Sequence, residues 1–140
     1  MKLRVIARSI SVMFPLFSLI ISHRVLAQSK PWLVPKEYAV LTNPVTNDPQ
    51  SLKEGNSLYT TVCTPCHGSK GKGDGAAAAS LNPKPADHTS PVMLNETDGN
   101  LFYKISEGRT PMPQFKTTLT EKQRWELVLY IRTLCKAPKK

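Results

Sequence analysis

The stretch Cys63-Thr64-Pro65-Cys66-His67 decides how the rest of the chain is interpreted. Its two cysteines stand three positions apart, and a histidine follows the second one directly. Residues three apart on a helical turn project in the same direction, so both sulfurs can reach one edge of a flat molecule. The imidazole that follows can bind a metal at its centre. The pattern is typical of covalent haem attachment, in which each thiol adds across one vinyl group of the porphyrin.

Three other interpretations compete for these five residues: half of a zinc site, a thiol–disulfide pair of the thioredoxin type, and a chance match. A zinc site needs four ligands, and the remaining candidates, His88 and Cys135, are far apart and not in paired spacing. A thioredoxin-like pair should follow a strand of a βαβ unit, and no such pattern precedes Cys63. The motif favours haem, and the other interpretations stay open until the rest of the chain is considered.

Residues 1–27 have the pattern of a cleavable signal peptide. Basic residues precede an uncharged apolar run over residues 10–21, and small residues over 25–27 predict cleavage after Ala27. The run is short for a membrane span, which is the alternative interpretation. We therefore expect a periplasmic protein, in a compartment where thiol pairs are oxidised unless other chemistry, such as haem attachment, claims them.

The charge balance bears on the partners. The chain has 19 Lys and Arg against 10 Asp and Glu, and four of the basic residues, Lys2, Arg4, Arg8 and Arg24, belong to the signal peptide. The remainder carries 15 basic and 10 acidic residues, a net charge of +5. Such a surface suits redox partners with acidic docking surfaces, although it also serves solubility alone. We expect a monomer that contacts membranes only through a partner complex, and no nucleic-acid partner, since no basic-aromatic array is present.

Residues 28–50 are rich in proline and show no helical or strand period. We expect an extended arm, with Trp32 and Tyr38 as anchors onto the protein's own domain or onto a partner. Residues 51–137 then form the domain, and residues 138–140 a short basic tail.

The first predicted helix begins at Ser51, because a serine followed three positions later by Glu54 is a capping box. Its apolar residues share one arc that leads to Cys63. Pro65 should end the regular helix near Cys63, so that the attachment motif forms a turn of its own. Gly55 is costly inside a helix, and a close approach of another helix would explain it.

Two further helices are predicted. One is capped by Thr97-Asp98, runs to about Ser106 and ends at Gly108. The other begins at Thr120, whose capping-box partner is Gln123, and runs to Leu134 or Cys135. Cys135 is expected to be a small buried residue, with an intermolecular disulfide as the alternative.

Two irregular stretches complete the domain. The segment from residue 68 to residue 96 is long and rich in glycine and proline, as a loop that wraps a buried cofactor would be. The second contains Met112 between Pro111 and Pro113, and this bracing suits a metal ligand better than a gap-filling side chain.

This order of features resembles the class I monohaem cytochrome c family, over residues 51–137. The segments CHGSKGKGDG, GRTPMPQF and RWELVLYIRTL are similar to short bacterial periplasmic members. The resemblance implies an all-α cytochrome c fold, in which three to four helices enclose one covalently attached haem c. It further implies that Cys63 and Cys66 form the thioethers, that His67 is the proximal iron ligand and that Met112 is the distal one.

The resemblance implies some finer details as well. Gly55 and Tyr59 should pack the first helix against the last, opposite Tyr130 or Leu127. A proline carbonyl, of either Pro83 or Pro85, should orient His67. The alternatives to Met112 as distal ligand are Met93 and His88; a second histidine would give a lower reduction potential than a thioether.

The function expected from this family is one-electron transfer between a dehydrogenase or quinol-oxidising complex and a terminal acceptor, without enzymatic activity of its own. One alternative is a haem subunit fixed within a respiratory oxidoreductase complex and tethered by the proline-rich arm. The other is a haem enzyme or ligand sensor in which substrate displaces Met112.

Overall fold

The structure is a computed structural model that describes residues 31–135. The expected signal peptide over residues 1–27 and the basic tail over residues 138–140 lie outside these residues. The α-helices are α1 (Lys36–Ala39), α2 (Pro49–Leu58), α3 (Thr64–His67), α4 (Pro91–Asn95), α5 (Asp98–Glu107) and α6 (Glu121–Leu134). A π-helical turn, Tyr59–Cys63, joins α2 to α3, and a 3₁₀ turn covers Ala78–Ser80.

The all-α prediction is confirmed, since the part of the chain that the structure describes contains no strand beyond one isolated bridge between Arg109 and Met112. The long helices are α2, α5 and α6, with 10, 10 and 14 residues. The others are single turns, which is why the elements outnumber the three to four helices expected. Within residues 31–135, no helix combines the length and apolar character that crossing a bilayer requires.

The sequence predicts an extended proline-rich arm, but the arm contains a helical turn. Helix α1 forms one turn directly after Pro35, because proline is tolerated at the start of a helix, where its missing N–H is not needed. The ring of Tyr38 meets that of Tyr103 edge-on at 4.7 Å. The side-chain amide of Asn43 donates a hydrogen bond to the carbonyl of Trp125, at 2.9 Å. The arm therefore packs against its own domain, one of the two outcomes expected for it.

Helix α2 begins earlier than predicted, and the proposed capping box of Ser51 with Glu54 is wrong. Asp48 is the N-cap, and its carboxylate accepts a 2.8 Å hydrogen bond from the N–H of Ser51. Pro49 occupies the first helical position, where its fixed φ angle suits the helix. Ser51 thus lies inside the helix.

The attachment motif forms its own turn, α3, as predicted, but regular α-helix ends at Leu58, before the expected position near Cys63. The chain continues as a π-helical turn in which the N–H of Thr64 bonds the carbonyl of Tyr59, five residues earlier. Pro65 has no N–H, and its ring crowds the carbonyl four residues before it, so a wider turn relieves the conflict. Turns of this kind are frequent at functional sites.

The caps of α5 and α6 are confirmed. The side chain of Thr97 accepts a hydrogen bond from the N–H of Asn100, and α5 ends at Gly108, whose φ of 61° favours glycine. At the start of α6, Thr120 and Gln123 form the reciprocal capping box.

Helices α2 and α6 cross at Gly55, as expected. A Cβ atom at Gly55 would lie 2.2 Å from the carbonyl oxygen of Glu126 and 3.0 Å from the Cβ of Tyr130, so only glycine permits this approach. One turn later the rings of Tyr59 and Tyr130 lie 5.2 Å apart. The core continues from this crossing toward Cys63 through Leu101, Phe102, Ile105, Trp125, Leu127, Val128 and Ile131.

Candidate functional site

A cavity of about 380 Å³ lies between the attachment motif and the loop after α5. Its volume is within the range of cofactor pockets in proteins. Cys63, Cys66, His67 and Met112, the four residues proposed from the sequence, all line it. Its walls are mostly apolar, with Val62, Leu81, Leu101, Ile105, Phe115 and Ile131 among the contributing residues.

The two cysteines of the motif reach this cavity as free thiols. Cys63 ends the π-helical turn and is buried, whereas Cys66 in α3 is half-buried. Burial, with a smaller contribution from nearby Cys66, raises the pKa of Cys63 to about 12, so its thiol is neutral. Within residues 31–135, no three His, Cys, Asp or Glu side chains converge as a metal site, so nothing there completes a zinc centre around the pair.

His67 is oriented by the carbonyl of Ala86, at 3.0 Å from its Nδ1. The expectation that the carbonyl of Pro83 or Pro85 does this is wrong: the orienting carbonyl belongs to the residue that follows Pro85. The carbonyl of Pro85 faces Gly73 instead, where an added Cβ would lie 2.5 Å from it. A carbonyl only accepts hydrogen bonds, so Nδ1 carries the hydrogen and the lone pair stays on Nε2. Burial lowers the pKa of His67, and the resulting neutral imidazole is the form that binds iron.

His88, one of the alternative iron ligands, lies beside His67 rather than across the cavity from it. The two rings stack with centroids 4.2 Å apart and planes inclined by 17°. A haem held by His67 would take its second ligand from the far side of the cavity, so this placement disfavours His88 as the distal ligand. Burial, followed by the nearby His67, lowers the pKa of His88 to about 3, which keeps its ring neutral.

Two groups hold His88 in place, and sequence analysis identified neither contact. The hydroxyl of Tyr59 lies 3.0 Å from Nδ1 of His88. The Cys135 thiol donates a hydrogen bond to the His88 carbonyl at 3.1 Å. These partners are 29 and 47 residues away along the chain, and no local pattern announces contacts between such distant positions. Cys135 itself is half-buried, whereas a small buried residue was expected.

Met112, which also lines the cavity, stands on a tight turn. The N–H of Arg109 bonds the carbonyl of Met112 at 3.0 Å, and the N–H of Met112 bonds the carbonyl of Arg109 at 2.8 Å. The side chain of Met112 is half-buried. Met93, the alternative thioether, also borders the cavity but belongs to the buried core on α4.

The sequence matches the model of a known protein family. The model of the family described as "Cytochrome C oxidase, cbb3-type, subunit III" matches residues 50–131. The chain belongs to this family of c-type cytochromes. A search of curated proteins finds no match to the sequence.

Solved structures agree with the cytochrome c fold. The reducing HAO-like protein complex Kustc0457/Kustc0458 of Kuenenia stuttgartiensis is similar at a TM-score of 0.58 and 25% identity, over 69% of this chain. KustC0563 c-type cytochrome has a TM-score of 0.52 and 26% identity, and the match covers 59% of this chain and 98% of that one. Cytochrome CL from Methylophaga aminisulfidivorans has a TM-score of 0.50 and 25% identity, over 62% of this chain and 55% of its own. The match spans 50% of the length of the first of these chains.

As a c-type cytochrome, the protein binds haem c covalently and takes part in electron transfer. The residues present fit that group: two thiols, a neutral imidazole with a free nitrogen and an apolar slot meet in one cavity. The cationic residues Lys84, Lys104 and Arg109 also border the cavity, and the ammonium group of Lys104 is paired with the carboxylate of Glu96 at 2.6 Å.

Proposed function

We propose that this cytochrome is a periplasmic carrier of single electrons between a dehydrogenase or quinol-oxidising complex and a terminal acceptor. The observation that carries the proposal is the presence of His67 and a thioether, Met112, in the same apolar cavity as Cys63 and Cys66. A bound haem supplies one-electron Fe(III)/Fe(II) cycling there. The chain holds its ring by Cys63 and Cys66, orients His67 through Ala86 and excludes water with apolar walls.

Met112 is the proposed second ligand. Its turn is fixed by the paired backbone hydrogen bonds with Arg109, and these fix the point from which the flexible thioether side chain extends. A haem iron held by both His67 and Met112 would have no position left for oxygen or peroxide. Such an iron would transfer electrons rather than activate a substrate.

Met112→Ala tests this assignment, with Met93→Ala as the matched control. We expect Met112→Ala to lower the reduction potential and abolish the Fe(III)–thioether charge-transfer band, because thioether sulfur favours reduced iron. Met93→Ala should keep the band. Potentiometry and the visible spectrum of the oxidised protein measure both. A Met112→Ala spectrum identical to that of the parent would show that another group is the ligand.

The rate of carbon monoxide binding to the reduced protein distinguishes an electron carrier from a haem enzyme or ligand sensor. In the carrier, Met112 must leave the iron before the gas can bind, so binding to the reduced protein is slow or negligible. Rapid binding to the parent protein would favour an enzyme or sensor instead.

A second form of the proposal is a haem subunit held within a larger oxidoreductase. The matched family is described as a subunit of an oxidase, and one of the similar structures is a protein complex; both observations favour this form. The arm packs through Tyr38 and Asn43 onto its own domain, which leaves less of it to serve as a tether. Gel filtration of periplasmic and detergent-solubilised membrane fractions, followed by haem staining, distinguishes the forms: a soluble shuttle elutes at its own size from the periplasm.

The partners proposed for either form have acidic docking surfaces, because the chain carries a net charge of +5 after its signal peptide. Association with such partners should slow steeply as ionic strength rises, since screening weakens charge steering. Stopped-flow electron transfer over a salt series measures this dependence.

A further inference from the structure

Trp32 brings the N-terminal arm to the haem cavity. Its side chain lines the cavity together with Met112 and the attachment residues, although it stands 31 positions before Cys63 in the sequence. Its neighbour Leu33 is 79% exposed and does not line the cavity. The contact thus belongs to one residue of the arm and not to the arm as a whole.

The partner of Trp32 is Arg109. The guanidinium carbon of Arg109 lies 4.6 Å from the centroid of the indole ring, within the range of an attractive cation–π contact. Arg109 is exposed, and at exposed positions the attraction between a cation and an aromatic ring is modest. Both side chains border the cavity, so the pair closes part of its rim.

Arg109 is also the first residue of the turn that carries Met112. The two residues exchange both of their backbone hydrogen bonds, at 3.0 and 2.8 Å, so neither can move far without the other. The preceding Gly108 fits closely against the same loop, because an added Cβ there would lie 2.4 Å from the carbonyl oxygen of Pro113. The position of the Arg109 side chain is thereby coupled to that of the Met112 backbone.

We propose that Trp32 is a positioning residue: through Arg109 it holds the Met112 turn closed over the haem and so limits the access of small ligands to the iron. The inference rests on the proposed role of Met112 as the distal ligand. It gives the arm a function within its own domain, where the sequence suggested a docking element or a tether.

The expected effect follows from a two-state opening of the turn. A ligand that binds only when Met112 has left the iron reports the open fraction, and its binding rate scales with that fraction. Loss of a cation–π contact at an exposed site should raise the open fraction, and with it the carbon monoxide binding rate of the reduced protein, by roughly 2- to 5-fold.

The experiment uses the full holoprotein and compares Trp32→Ala with Leu33→Ala. We expect faster carbon monoxide binding in Trp32→Ala, no change in Leu33→Ala, and near-parental binding in Trp32→Phe, which keeps an aromatic face for Arg109. Helix content measured by circular dichroism confirms that each variant is folded. A folded Trp32→Ala protein that binds the gas at the parental rate would overturn the proposal.

If Trp32→Ala proves unstable, Arg109→Ala removes the other partner of the same contact and should also bind carbon monoxide faster than the parent. With a folded Trp32→Ala protein, a double-mutant cycle tests the coupling directly. Because Trp32 acts through Arg109, the Trp32→Ala/Arg109→Ala protein should bind carbon monoxide no faster than Arg109→Ala alone. Additive effects would refute the coupling. Failure of this inference is separate from failure of the Met112 assignment. If Met112→Ala loses the thioether band but the cycle is additive, only the positioning role of Trp32 is wrong. If Met112→Ala keeps that band, both are overturned.

Discussion

Gly55 shows most clearly how a single residue fixes the arrangement around the haem. The carbonyl of Glu126 in α6 occupies the place where a Cβ would stand, at 2.2 Å. The crossing of α2 and α6 therefore depends on the absence of a side chain. Because α2 leads through the π-helical turn to Cys63, the same contact sets where the attachment motif lies relative to α6.

We expect Gly55→Ala to destabilise the protein, although alanine is the better helix former. The two helices must move apart to admit the methyl group, and such overpacking costs about 1–3 kcal/mol. Urea unfolding followed by circular dichroism measures the change. Asn56→Ala, at the exposed neighbouring position, is the control and should alter the free energy of unfolding by no more than about 0.5 kcal/mol. Equal stability of Gly55→Ala and the parent would mean that the helices are not in close contact there.

Residues whose roles depend on near neighbours could be predicted from the sequence, and those that depend on the path of a loop could not. The glycine at position 55 and the proline-braced Met112 stand out by residue type alone. The carbonyl that orients His67 does not, because every residue has one, and which carbonyl faces the ring depends on the course of the loop. For this reason Pro83 and Pro85 were plausible, yet Ala86 makes the contact.

At the level of elements, the start of α2 shows how two adjacent signals compete. Ser51 and Glu54 match a capping box, but Asp48-Pro49 supplies a carboxylate cap followed by a residue already bent for the first turn. The stronger signal lies three residues earlier, and Ser51 serves as the donor to it. Thr97 and Thr120 have no such rival, and both caps were predicted correctly.

We expect the N-cap of α2, Asp48, to make the stability of the folded protein depend on pH in the acid range. The hydrogen bond from the N–H of Ser51 holds the pKa of Asp48 below its usual value of 3.8. A carboxyl whose pKa is lower in the folded state stabilises the protein above its unfolded pKa, and this stabilisation is lost as pH falls through the folded pKa.

Asp48→Asn keeps a capping side chain but removes this titration. Between neutral pH and pH values below 3.8, the parent should therefore lose more stability than the Asn variant does. Urea midpoints over a pH series compare the two proteins. Parallel curves for the two proteins would contradict the assignment of Asp48 as a titrating cap.

At the scale of the whole molecule, the core is incomplete without its cofactor. The buried residues of α2, α5 and α6 border a cavity of about 380 Å³ that a haem would share with them. Domains of this size rarely have enough apolar contact to be stable with such a gap. A cofactor that binds only to the folded chain stabilises the folded state by its free energy of binding.

We therefore expect a Cys63→Ala/Cys66→Ala protein, expressed without attached haem, to be largely unfolded. Far-ultraviolet circular dichroism should show little of the helix content of the parent, because α5 and α6 lose the surface on which they pack. Leu33→Ala, processed in the same way, controls for expression and export. Native helix content in the double variant would mean that the polypeptide core is sufficient by itself.

Attachment of one haem by Cys63 and Cys66, beside His67, underlies every other property proposed for this protein, and it can be measured directly. A denaturing gel stained for haem, with a pyridine haemochrome spectrum of the same sample, compares the parent with Cys63→Ala/Cys66→Ala. We predict that the parent retains haem through denaturation and gives the spectrum of a porphyrin whose two vinyl groups are both converted to thioethers, while the double variant does not stain. An unstained parent band, or a spectrum with intact vinyl groups, would contradict covalent attachment at this motif.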